Sequence, residues 1–80
     1  MDDQEILNLI TELVDEEHRL LKLEEEGKLV SDQHDRIRLL EVNLDQCWDL
    51  LRQRRARRHA GRNPDEAELR DRSTVEHYQQ

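Results

Sequence analysis

Residues 24–35, EEEGKLVSDQHD, separate two long stretches of helical pattern and decide how the chain folds. Gly27 can end the first helix, because glycine adopts a positive φ at little cost. Ser31 offers a side-chain oxygen that can cap the start of a second helix, and Asp32 suits the positive end of its dipole. A connection of only four residues between two helices predicts an antiparallel hairpin.

The stretch before this turn has the apolar spacing of an amphipathic helix. Pairs of apolar residues recur every seven positions, and other apolar residues widen the same face. The residues of this face are Ile6, Leu7, Leu9, Ile10, Leu13, Val14, Leu20, Leu21 and Leu23. The pattern predicts a first helix over about residues 3–26.

The stretch after the turn predicts a longer helix over about residues 32–60, ended by Gly61. Its seam toward the first helix follows alternating steps of three and four residues. The seam consists of Ile37, Leu40, Leu44, Cys47 and Leu51, and its spacing continues to Arg54 and Arg58. Trp48, Leu39 and Leu50 are apolar residues outside the seam.

The chain has 80 residues, which is the size of one small domain, and the hairpin accounts for residues 1–62. Asn63 and Pro64 break the second helix and can start a short helical turn in PDEAELR. Residues 63–80 are therefore expected to form this turn and a partly mobile acidic tail. Because Val75 and Tyr78 are the sizeable apolar residues near the end, we expect deletion of residues 73–80 to change thermal stability little.

Two such helices carry more apolar surface than one hairpin covers, and an apolar patch left over usually marks an interface. Two-fold pairing is the commonest closed assembly. The predicted fold class is therefore all-α: an antiparallel two-helix hairpin with a short C-terminal helical turn and tail, dimerising into a four-helix bundle. The expected core and dimer residues are Ile6, Ile10, Leu13, Leu20, Ile37, Leu40, Leu44, Cys47, Trp48 and Leu51.

The stretch LLRQRRARRHAGR, residues 50–62, has six arginines and no acid, although the whole chain has a formal net charge of −7. Residues 1–49 hold 15 acids and 5 bases, which gives −10, and residues 63–80 hold 5 acids and 2 bases, which gives −3. If the turn centres near residue 29, facing positions sum to about 58. Arg54 and Arg58 then reach the acidic start of the first helix, and we expect them to pair there.

The remaining arginines are expected to face outward and bind a partner. They are Arg52, Arg55, Arg57 and Arg62. An acidic protein surface is the favoured partner. The alternative is a regulator that binds nucleic acid or the transcription machinery through the same basic stretch, since guanidinium groups neutralise phosphates with salt-dependent affinity. However, no aromatic residue is interleaved with the arginines, no nucleic-acid recognition module is present, and the rest of the chain is negative.

No residue pattern indicates catalysis or a metal site. Glu17 interrupts the apolar face of the first helix, where a polar residue can fix the register of packing or act as a general acid or base. His18 and His34 are out of step across the hairpin, and the acidic residues at the turn lack fixed ligand spacing. Cys47 is expected to be a small core residue. We expect no enzyme activity, no catalytic residue, no metal and no cofactor.

The composition also predicts where the protein resides. The start, MDDQE, lacks the basic and apolar regions of a signal peptide, and no apolar run is long enough to cross a membrane. The single cysteine cannot form an intrachain disulfide. We expect a reduced, cytoplasmic protein that does not bind membranes.

Four segments together resemble a known family: LDQCWDLLRQRRARR at residues 44–58, MDDQEIL at the start, EEH at residues 16–18 and NPDEAELRDRSTVEHYQQ at the end. The family consists of short actinobacterial helical proteins of unknown function (domain of unknown function family 2630), and the resemblance covers the whole chain. It implies a bacterial, intracellular, helical protein. It implies no activity, cofactor or catalytic residue.

Overall fold

Two long helices make up most of the computed structural model, which describes residues 1–71. Helix α1 spans Asp3–Glu25 and helix α2 spans Ser31–His59, and a single 3₁₀ turn spans Pro64–Glu66. No β-strand occurs within residues 1–71, so the predicted all-α class is confirmed. Val75, Tyr78 and the expected effect of deleting residues 73–80 lie outside the described residues.

Helix α1 begins with a capping box. The Asp2 side chain accepts a hydrogen bond from the Glu5 amide (2.8 Å), and the Glu5 side chain accepts one from the Asp2 amide (3.2 Å). These two bonds satisfy amides that a helix start otherwise leaves without partners. The helix ends where Gly27 takes a φ of 70° and the Lys28 amide donates to the Leu23 carbonyl (2.9 Å).

Helix α2 starts differently from our expectation. Ser31 is already the first helical residue, and Val30, whose side chain has no polar atom, holds the capping position. The prediction of a Ser31 cap is therefore wrong. The Val30 amide instead donates to the side-chain oxygen of Gln33 (3.1 Å), so a residue inside the helix reaches back to satisfy it. At the other end, Gly61 has a φ of 71° and the Arg62 amide donates to the Arg57 carbonyl (2.7 Å).

The two helices run antiparallel, and the apolar seam between them forms the core. Asp3 meets Arg54, and Glu16 forms a two-pronged ion pair with Arg36, whose Nη2 lies 2.9 Å from Glu16 Oε1. The buried core residues are Ile6, Ile10, Leu13, Ile37, Leu40, Leu44, Cys47 and Leu50. Leu20 and Leu51, which we also expected in the core, are half-buried beside it.

Trp48 is the exception among the expected core residues. It was expected in the core or at a dimer contact, and its side chain is 40% exposed in one chain, so the dimer contact stays a prediction. Trp48 follows the buried Cys47 by one position, which turns it about 100° around α2 and out of the seam. Glu17, expected on the seam, is half-buried, and the ion pair between the helices is formed by its neighbour Glu16.

Residues 63–70, which we call the strap, lie along α2. The expected helical turn in PDEAELR is shorter than predicted, since only Pro64–Glu66 is helical and Ala67 is extended. Asn63 caps this turn by accepting a hydrogen bond from the Asp65 amide (3.0 Å). Ala67 packs against the hydrophobic core. The strap thus covers one side of the hairpin, where the sequence led us to expect a turn and a tail.

Candidate partner-binding surface at the arginine-rich end of α2

Arg54 joins three parts of the molecule. Its side chain is only 7% exposed. Its Nε donates to Asp3 at the start of α1, and its Nη1 donates to Asp65 (2.9 Å) and to the Pro64 carbonyl (3.2 Å) in the strap. The hydrogen bonds to Asp3 and then Asp65 raise the pKa of Arg54. The charge of this buried guanidinium is therefore balanced by carboxylates of its own chain.

Asp3 receives a second arginine from α2. Arg58 Nη2 lies 2.7 Å from Asp3 Oδ2 and Nη1 lies 3.2 Å from Oδ1, so the pair is bidentate. The hydrogen bonds from Arg58 and then from Arg54 lower the pKa of Asp3, although partial burial opposes the shift. Arg54 and Arg58 thus pair with the acidic start of α1, as the facing positions led us to expect.

The other four arginines divide into two pairs. Arg57 is half-buried, with Nη1 3.6 Å from Glu66 Oε2, and Arg52 is half-buried, with Nη2 3.9 Å from Asp49 Oδ1. Arg52 and Arg57 do lie on the side of α2 that faces away from the seam, but Asp49 and the strap lie on that side too and pair with them. Arg55 and Arg62 are exposed and form no ion pair with any residue of the described part of the chain.

Asp49 is a buried carboxylate that sequence reasoning missed. It is 1% exposed, and its Oδ2 accepts a hydrogen bond from Gln53 Nε2 (3.0 Å) and lies 3.2 Å from Arg70 Nε. A buried carboxylate needs such partners to offset its lost hydration. One signal was present in the sequence: Asp49 is the only acid within residues 46–64.

Side chains of α2 also bind the strap through its backbone. Gln53 Nε2 donates to the Glu68 carbonyl (2.6 Å), and Gln46 Nε2 donates to the Arg70 carbonyl (3.2 Å). Together with the ion pairs of Arg54 and Arg57, these bonds hold the strap extended. We call the α2 residues that bind it the strap-binding surface. They are Gln46, Asp49, Gln53, Arg54 and Arg57.

The opposite side of the hairpin presents an apolar surface that we call the open face. It consists of Leu7, Val14 and Leu21 on α1 and Trp48 on α2, each one position after a seam residue. One position along a helix is a rotation of about 100° around its axis. In two antiparallel helices, this rotation from the seam places the residues of both helices on the same side of the hairpin. Leu7, Leu21 and Trp48 are 40%, 38% and 40% exposed.

Cysteine, histidine and acidic side chains are the remaining groups within residues 1–71 that could react or bind a metal ion. Cys47 is buried, and this burial raises the pKa of its thiol. No group of three or more histidine, cysteine or acidic side chains within residues 1–71 is arranged to hold a metal ion. At the turn, Glu24 lies 3.7 Å from His34, and both are exposed. Neither helix is long and apolar enough to cross a membrane, as far as residues 1–71 are concerned.

Comparison with known proteins identifies relatives over nearly the whole chain. The model of a family described as protein of unknown function (DUF2630) matches residues 2–80. Uncharacterised proteins of Mycobacterium bovis and of two Mycobacterium tuberculosis strains are 47% identical over 77 residues, which is 95% of this chain and 88% of each relative. No solved structure matches.

Proposed function

This chain belongs to the family of proteins of unknown function DUF2630, and we propose that it is a non-enzymatic helical interaction protein. In this proposal two copies pair through their open faces into a four-helix bundle. The arginine-rich end of α2 then binds an acidic protein. The observation that carries the proposal is the exposed apolar surface of Leu7, Leu21 and Trp48, with an exposed Arg55 on the same face of α2 that forms no ion pair within residues 1–71.

The open face supports pairing with a second copy. Its α1 residues Leu7, Val14 and Leu21 recur every seven positions, which is the spacing by which helices pack side by side in bundles. Trp48 adds a large aromatic side chain, a residue type enriched in interface cores. Burying three side chains that are now about two-fifths exposed removes apolar surface from water, which favours association.

Arg55 and Arg62 support binding of an acidic partner. Both are exposed and have no carboxylate partner within residues 1–71, so a partner does not have to displace an existing ion pair to reach them. Arg55 lies seven positions after Trp48, about two helical turns along the same face of α2. Arginine is one of the residue types that dominate binding energy at interfaces.

Two measurements test this proposal. Light scattering of the purified protein is expected to give twice the 9.7 kDa chain mass at micromolar concentration. A constant monomer mass would contradict pairing.

For the partner, the tagged chain is purified from its native cell with nuclease treatment, and bound proteins are identified by mass spectrometry. We expect Arg55→Gln with Arg62→Gln to lose the captured protein. Arg19→Gln with Arg38→Gln, which removes the same charge from exposed positions, should retain it. Loss of capture on nuclease treatment would instead favour nucleic acid, and equal capture by both variants would contradict the role of Arg55 and Arg62.

A further inference from the structure

The strap is held to α2 mainly by polar contacts. Two of its carboxylates, Asp65 and Glu66, meet Arg54 and Arg57, and its basic residue Arg70 meets the buried Asp49. Three of its carbonyls also accept hydrogen bonds from α2 side chains. The strap-binding surface therefore recognises two adjacent acids in a 3₁₀ turn, carbonyls of the backbone in and after this turn, and a base four residues after the second acid.

Apolar packing adds little to this attachment. Ala67 is the strap residue that packs against the core, and Leu69 remains 58% exposed. Beside Leu69, a cleft of about 380 Å³ is lined mainly by apolar side chains of the two helices, among them Leu9 and Leu50. A side chain that borders open space forgoes the dispersion contacts of a packed core. Releasing the strap therefore disturbs few close apolar contacts.

None of the contacts requires that the strap belong to the same chain. Backbone carbonyls are common to all peptides, and a pair of acids followed by a base can occur in any partner. The strap has the advantage of being tethered, because a tether gives a ligand a high effective concentration. An external segment with the same chemistry competes with the strap for the same side chains.

We infer that the strap-binding surface is a docking site for an acidic peptide segment of a partner protein, and that residues 63–70 occupy it as a built-in competitor. The segment carries two adjacent carboxylates and, four residues later, a base. The inference rests on the proposed function in that the partner is acidic, but it assigns the contact to Arg54 and Arg57 beneath the strap. Arg62, the residue before the strap, then provides additional charge beside this site, whereas Arg55 lies on the side of the open face.

The test uses the full chain and a defined peptide. The probe is a fluorescein-labelled, end-capped peptide of residues 62–71, RNPDEAELRD, and its binding is measured by fluorescence anisotropy. The loosened variant carries Asp65→Asn and Glu66→Gln, which remove the strap carboxylates that meet Arg54 and Arg57. The control variant carries Glu25→Gln and Glu68→Gln, which remove the same charge from exposed side chains.

We expect the loosened variant to bind the peptide with a Kd at least about fivefold lower than that of the wild-type chain. The reason is that apparent affinity scales with the fraction of molecules whose strap has left the strap-binding surface. The control variant should bind as the wild-type chain does. Adding Arg57→Gln to the loosened variant should cancel most of the gain. Circular dichroism checks that each variant keeps the helical content of the wild-type chain.

Two outcomes would overturn the inference: equal affinity of all the variants, or no measurable binding to the loosened one. Neither outcome affects the capture experiment with Arg55 and Arg62, which tests the proposed function separately. Conversely, a failed capture experiment with tight peptide binding to the loosened variant would reject the proposed contact at Arg55 and Arg62 and leave the docking site standing.

Discussion

At the residue scale, arginines that are adjacent in the sequence have different roles, because their neighbours in the fold differ. Arg54 is almost fully buried and neutralised by Asp3 and Asp65, whereas Arg55, the next residue, is exposed and without such a partner in residues 1–71. The 100° step between adjacent helical positions accounts for the difference. Charge density along the sequence therefore says little about how many arginines are available to a partner.

Asp3 should make stability depend on pH. The hydrogen bonds from Arg58 and Arg54 hold its pKa in the folded chain below the ordinary value of an aspartate, so its contribution to stability is complete above the unfolded pKa and is lost as the pH falls through the folded pKa. We expect Asp3→Asn to lower the melting temperature at pH 7, and the gap to the wild-type chain to narrow toward pH 3. Asp15→Asn, at an exposed position of the same helix, is the control. A gap that stays constant with pH would contradict the role of the carboxylate charge.

Cys47 should react slowly with thiol reagents. The thiolate is the reactive form, and burial both raises the thiol's pKa and blocks access to it. At pH 8 we expect the folded chain to react with Ellman's reagent at least about a hundredfold more slowly than the urea-unfolded chain, because reaction requires opening of the core. Equal rates in the two states would mean that the thiol is accessible.

At the element scale, the ends of the helices could be predicted only in part from sequence. Gly27 and Gly61 end the helices as expected, because both positions need a positive φ. The start of α2 differs from the expected one because Gln33 satisfies the Val30 amide from inside the helix, without the Ser31 hydroxyl.

Replacing Gly61 should loosen the strap as well as destabilise α2. An alanine at a φ of 71° is strained, which we expect to cost about 1 kcal/mol. Gly61 also turns the chain from α2 into the strap, so Gly61→Ala should increase hydrogen exchange of the Ala67 amide, which donates to the Pro64 carbonyl.

Gly27→Ala is the matched control for this experiment, since its φ of 70° makes the strain equal. It lies at the other end of the hairpin and should lower stability by a similar amount while leaving exchange of the Ala67 amide unchanged. Similar exchange in both variants would show that the turn at Gly61 does not govern the strap.

At the scale of the whole molecule, the hairpin has two unlike sides. The strap covers one, and the open face leaves Leu7, Leu21 and Trp48 exposed on the other. The helices, their direction and most of the core could be predicted because one amphipathic pattern determines them. The strap could not, because its contacts are single polar bonds to Asp49, Gln53 and Gln46, which follow no periodic pattern.

Two substitutions on α1 should separate folding from pairing. Leu13 is buried between the helices, and Leu13→Asp should unfold the chain, because an unpaired charge in the core costs several kcal/mol. Leu7 is 40% exposed on the open face, so Leu7→Asp should keep the helical circular-dichroism spectrum. If the open face pairs two copies, Leu7→Asp should also shift the mass measured by light scattering to that of one chain, since the charge would be buried between the copies.

A dimer that persists in Leu7→Asp would exclude this part of the open face from the interface. A wild-type chain that is already monomeric would reject the pairing altogether, while the contrast in folding between the two variants would still locate the core on the Leu13 side of α1.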